Sequence, residues 1–161
     1  MMFETCKIQY QIWKGELLWK DIKSDSNQEQ QAHSVVCTVA SPVLKPHPSR
    51  TVPIVTAENW PQKLIMQLIP KSLVQQVGGT SSKYFQNARS VSFLFPHNFT
   101  TVSLTKLFNE GFAGCVHLNG DKDKVLILIF SPKDDEYLGY IPNEQSQFVE
   151  CFRKVIQLQK V

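Results

Sequence analysis

The stretch Trp60-Pro61-Gln62-Lys63-Leu64-Ile65-Met66-Gln67-Leu68-Ile69-Pro70 decides how the chain is read. Its apolar residues fall at Trp60, Leu64, Ile65, Leu68 and Ile69, a spacing that lays one broad stripe on an α-helix. Asn59 stands where an N-cap belongs, and Pro61 falls in the first turn, where a missing N–H costs nothing. Lys63, Met66 and Gln67 lie off the stripe, so the spacing predicts a buried face and an exposed face that carries Met66 between polar residues. Pro70 either kinks this helix or opens a second short one over Lys71 to Val77, which Gly78 would stop.

Outward from this stretch the pattern is mostly extended. Ile8, Tyr10 and Ile12 alternate with polar residues or Trp13, Gly15 reads as a bend or bulge, and Leu17 to Trp19 resume a strand. Ser24 to His33 is polar and reads as an exposed loop, and Ser34 to Ala40 is a Val-rich strand. Pro42, Pro46, Pro48 and Pro53 break regular structure, so residues 41–53 are expected to form a loop, with a short edge strand over Thr51 to Val55. Val91, Phe93 and Phe95 share one face of a strand over Arg89 to Phe95. Leu104, Leu107 and Phe108 predict a helix capped by Thr100 or Thr101 and stopped by Gly111.

Phe112 to Leu118 and Lys124 to Phe130 read as strands joined by a hairpin at Asn119-Gly120-Asp121. Val125 to Phe130 is continuously apolar, as a strand buried on both faces would be. Tyr137 to Ile141 adds another strand. Asn143 is the expected cap of a last helix whose stripe is Phe148, Val149, Phe152, Val155 and Ile156. Strands and helices are mixed rather than alternating, which makes the class α+β, with many short strands pointing to a closed barrel. The 161 residues suit a single domain over 1–161.

Composition excludes several function classes. Hydrophobic content of 42% and charged content of 19% are ordinary for a globular chain, and no apolar run approaches the ~20 residues of a membrane span. No secretory signal is read at the N-terminus. A net charge of +3 tolerates acidic partners without demanding nucleic acid. Cys6, Cys37, Cys115 and Cys151 lack a C-x-x-C pair, so reduced thiols are expected. His33, His47, His97 and His117 show no zinc spacing, and neither G-x-S-x-G nor a phosphate-binding glycine loop is present. Cys115 and His117 share a strand face, which suits a nucleophile and its base or plain packing. No enzymatic activity, metal or cofactor is expected.

Four blocks carry a family resemblance: Trp60 to Pro70, Gly111-Phe112-Ala113-Gly114-Cys115-Val116-His117, Gly139-Tyr140-Ile141-Pro142, and Gln145-Ser146-Gln147-Phe148-Val149. With them the chain closely resembles the activator-interaction domain of Mediator subunit 25, shared with the prostate-tumour-overexpressed protein. The resemblance implies a seven-stranded, mostly antiparallel barrel flanked by three helices, nuclear and monomeric. It also implies a domain that binds acidic, hydrophobic transactivation segments of transcription factors, with other Mediator subunits reached through the rest of the full-length protein.

Two opposite faces are implied. Trp19, Lys20, Lys63, Met66, Gln67, Lys71 and Arg89 belong to one, around the signature helix; Lys133, Phe152 and Arg153 belong to the other, at the last helix. Two positions depart from the family pattern. Leu94 stands where a histidine is expected, and Lys133-Asp134-Asp135 replaces a run of lysines, which weakens the case for an acidic ligand on the second face. A phosphopeptide reader and a single-stranded nucleic-acid binder built on Trp13, Trp19 and the lysines are the alternative readings.

Overall fold

The computed structural model describes residues 9–21, 31–43, 52–77, 83–118 and 124–159. In chain order the elements are β1 (Gln9–Lys20), β2 (Ala32–Pro42), β3 (Lys63–Pro70), α1 (Lys71–Gln76), β4 (Arg89–Leu94), α2 (Phe99–Asn109), β5 (Phe112–His117), β6 (Val125–Ser131), β7 (Glu136–Ile141) and α3 (Gln145–Gln159). The strands close into a barrel in the order β1-β2-β4-β7-β6-β5-β3. Neighbours are antiparallel except β1 and β3, whose parallel register sets Leu17 opposite Leu64. The α+β barrel with three helices is the architecture expected above.

The decisive stretch, however, is strand β3 and not a helix. Successive side chains of a strand point to opposite faces. Leu64 and Met66 therefore enter the barrel core with Trp13, Leu17, Phe93 and Leu126, while Ile69 points out into a second core with Phe148 and Phe152. Apolar residues on both faces erase the simple alternation, and the remaining set mimics a helical stripe. Pro61 precedes the strand, and its carbonyl accepts the Trp13 indole N–H at 3.0 Å. Pro70 ends the strand, and the short helix expected after it is α1, whose Lys71 N–H donates to the Gly111 carbonyl at 2.8 Å.

β1 runs unbroken through Gly15, and the register slips instead between Gln11 and Trp13. Gly15 is required because a β-carbon there would collide with the Gln62 carbonyl and the Trp13 ring. Among the described residues, the segment expected to form an edge strand over Thr51 to Val55 contributes an isolated bridge, Val43 to Pro53, and Thr51 lies outside them. His33, expected in a loop, lies in β2. The predicted turn at Asn119-Gly120-Asp121, Gly78, Cys6, and the expected loop residues 24–30 and 44–51 lie outside the described residues, but the β5–β6 hairpin itself forms. Val125, Leu126, Ile127 and Leu128 of β6 are all buried, one face in each core, as its continuous apolar run predicted.

α2 adds Leu104 and Phe108 to the barrel core alongside Trp19 and Tyr137. Its cap is Asn98 rather than a threonine: the Asn98 side chain accepts the Thr101 N–H at 2.9 Å. Gly111, at φ 105, follows its last turn, a backbone angle that favours glycine. α3 and α1 pack against each other over the outer core. Asn143 does not cap α3; its side-chain amide donates to the carbonyls of Lys83 and Gln86 at 3.1 and 2.9 Å, tying the helix approach to that turn.

Candidate protein-binding surface

β1, β3, β5 and β6 stand side by side in the barrel wall. Their registers align Leu18, Ile65, His117 and Val125 in one row, and Gln67, Cys115 and Ile127 in the next, all with outward parity. α3 covers part of this wall: Cys115, Val125 and Ile127 are buried with Phe148, Val149 and Phe152. The rest is open. Ile65 is 54% exposed, and Lys63, Gln67 and Lys20 are exposed beside it. Where the open part meets α3 there is a cavity of about 200 Å³, lined by Gln67, Cys115, His117, Phe152, Arg153 and Ile156 among others. Its walls are mainly apolar, with Arg153 at the rim.

Of the residues expected on the first face, Lys63 and Gln67 do lie exposed on this wall, and Lys20 lies on the same side of β1 as Leu18. Lys71 opens α1 and is exposed. Met66 corrects the expectation. It is 2% exposed, and its Sδ fills the space left by Gly114 on β5, so a ligand on the wall cannot touch it. The cause is the strand itself, which turns Met66 inward between Ile65 and Gln67. Trp19 is likewise 4% exposed and inside the barrel, stacked on His33 with centroids 5.7 Å apart. The His33 Nε2 in turn meets Asp21 Oδ1 at 2.6 Å.

Arg89 lies elsewhere. It is exposed at the start of β4 and lines a separate cavity of about 230 Å³ with Trp60, Lys124 and Ile141. Phe152 and Arg153, expected on an opposite face, share the α3 groove with Gln67. Lys133 is exposed in the turn between β6 and β7. Ile65, Leu18 and His117 are the residues that sequence reasoning missed. Period-two alternation through β3 would have turned Ile65 outward and Met66 inward.

Cys115 and His117 both line the groove, yet the pair does not form a reactive nucleophile. Burial pushes the Cys115 thiol up to about 12, so it stays protonated near neutral pH. The groove therefore offers apolar contact, the Gln67 amide and the Arg153 guanidinium.

The profile of a family described as Mediator complex subunit 25 PTOV activation and synapsin 2 matches residues 7–161. The Protein PTOV1 homolog of Drosophila melanogaster is 34% identical over 91% of this chain and 38% of its own length. Mediator of RNA polymerase II transcription subunit 25 from Xenopus laevis is 34% identical over 92% of this chain and 19% of its own. The human Prostate tumor-overexpressed gene 1 protein is 31% identical over 94% and 34% respectively. The chain thus spans well under half the length of these relatives. It belongs to the family of Mediator complex subunit 25 and the prostate-tumor-overexpressed proteins.

Proposed function

We propose that this chain is a non-catalytic docking barrel that binds acidic, hydrophobic activation segments of transcription factors and links them, in the nucleus, to the Mediator machinery. The observation that carries the proposal is the open row Leu18–Ile65 running into the α3 groove, with Lys63, Lys20 and Arg153 around it. Family membership supports the same reading. An activation segment is disordered, negatively charged and dotted with large apolar side chains. It orders on binding, which consumes part of the interaction energy and leaves affinities in the micromolar range, about −8 kcal/mol. The cations speed and orient the encounter; one large side chain in the groove and another over Ile65 hold it.

The test is an amide chemical-shift titration with a synthetic peptide of Asp, Glu, Phe and Leu. Saturable shifts at Leu18, Ile65, Gln67, His117 and Arg153 are expected. Shifts confined to Arg89, Trp60 and Lys124 would overturn the assignment, as would equal binding by a peptide with its Phe and Leu changed to Ser.

A further inference from the structure

Helix α2 stands apart from the first wall, the one formed by β1, β3, β5 and β6. It turns Leu104 and Phe108 into the barrel core beside Trp19 and Tyr137. The side away from the core shows Phe99, Ser103, Lys106 and Glu110, spaced as one helical face, with Val102 on its flank. Phe99 is 84% exposed and Val102 66%, the two highest values among the large hydrophobic residues described. Directly beside this face lies a cavity of about 330 Å³, lined by Trp19, His33, Phe99, Leu104 and Leu107 among others. An apolar ring in water therefore stands next to an apolar hollow. Charge along the helix is also arranged against its own dipole. The first turn carries no acidic residue and its cap is the neutral Asn98, so the positive end is left without an anion. Glu110 sits at the negative end, where a carboxylate is disfavoured.

We infer that the exposed face of α2 is a self-association surface, and that its occupant is α2 of a second copy of this chain, packed antiparallel about a two-fold axis beside Ser103. Such an interface is self-complementary: whatever one copy offers, the other receives. Phe99 lies one helical turn before Ser103 and Leu107 one turn after it, so each Phe99 ring reaches the partner's Leu107 and the hollow beside it. Glu110 comes just past the partner's first helical turn, where free N–H groups favour an anion. The charge that each helix places badly for itself is thus placed well for the other. One helix face is small for a stable dimer, so the pair forms with a dissociation constant of roughly 100 µM to 1 mM. No residue of α2 lines the α3 groove, so pairing leaves both first walls open. A segment with two apolar motifs then meets two grooves at once and gains avidity.

The test is sedimentation equilibrium of the chain without any ligand, over roughly 10 µM to 1 mM, the range that brackets so weak a pair. A monomer–dimer equilibrium is expected, with the amides of Phe99, Ser103, Lys106 and Glu110 shifting as concentration rises. Phe99→Ser should weaken dimerisation about ten-fold or more, because each dimer loses two buried rings. Its melting temperature at low concentration should be unchanged, since the ring is exposed in the single chain. Glu110→Lys should weaken dimerisation several-fold while leaving the melting temperature equal or higher, because a cation suits that end of its own helix. The inference fails if the chain stays monomeric throughout the range, which would leave the α2 face to some other occupant. It also fails if dimerisation survives Phe99→Ser undiminished, which would place the self-contact elsewhere, or if Glu110→Lys tightens it. None of these outcomes depends on peptide binding at the first wall.

Discussion

The side chain of Gln145 pairs with Val125 as a neighbouring strand would. The Val125 N–H donates to Gln145 Oε1 at 2.9 Å, and Gln145 Nε2 donates to the Val125 carbonyl at 3.1 Å. The same Nε2 donates to the Pro142 carbonyl at 2.8 Å. The first residue of α3 is thereby fastened to the first residue of β6, which sets the floor of the groove. Gln145→Leu leaves both backbone groups of Val125 without this partner and should lower stability by about 1–3 kcal/mol in a urea melt. An unchanged midpoint would mean that α3 is held by its apolar face alone.

Met66 and Gly114 form a tightly fitted pair, because any β-carbon at position 114 would overlap the Met66 sulfur. Met66→Ala should destabilise the fold by about 2–5 kcal/mol, the range for emptying a buried site of this size. Gly114→Ala should also destabilise. The double variant should lose less than the sum of the two, since the truncation makes room for the methyl. Strict additivity in paired thermal melts would refute the fit.

Binding on the first wall should rank side chains by exposure. Ile65→Ala should cost an acidic peptide about 1–3 kcal/mol, at low and high salt alike. Lys63→Ala should cost only about 0.2–1 kcal/mol and lose its effect as salt rises. Gln67→Glu should repel the peptide without lowering the melting temperature. Calorimetric titrations at two salt concentrations separate these outcomes.

Two thiols make stability fall in alkali. Burial raises Cys37 and Cys115 from 9.0 to about 12, so the folded state keeps both protons where the unfolded chain gives them up. Their contribution is fully present below pH 9 and is lost progressively as pH rises toward 12. The melting temperature should drop across that window. The drop should be shallower in a Cys37→Ala, Cys115→Ala double variant; equal slopes would assign the alkaline loss to other groups. Tyr137, also raised by burial, remains in both proteins.

Most of the barrel was legible because its strands state their burial plainly. β4 alternates Val91 and Phe93 inward, and β6 is apolar on both faces because it has a core on each side. β3 was not legible from stripe counting. Its inner Leu64 and Met66, its outer Ile69 beneath the helices, and its exposed Ile65 belong to three environments that one dimension cannot separate. The signal available was length: the strand holds eight residues and ends on a proline, short for a helix and ordinary for a strand. The misplacement of Met66 follows from that reading. A helix puts Met66 outside with Lys63 and Gln67, whereas a strand exchanges it for Ile65. The groove shared by Gln67 and Arg153 was hidden for another reason, since it depends on where α3 lies across the sheet and no local pattern encodes that.

The parallel contact of β1 with β3 spans only Glu16 to Leu18 against Lys63 to Ile65, and β2 meets β4 over Thr38 to Ala40. Both seams join segments far apart along the chain, as do the longer β3–β5 and β4–β7 ladders, whereas β1–β2 and β5–β6–β7 are neighbours in sequence. The local ladders can form on the microsecond scale of hairpins, but each seam must first overcome the entropy of closing a long loop for a few hydrogen bonds. The segments at these two short seams should therefore meet late, on a timescale of roughly milliseconds to seconds. Until they meet, Leu17, Leu64 and Met66 stand in water, and a newly made chain is most exposed to misassembly during that interval.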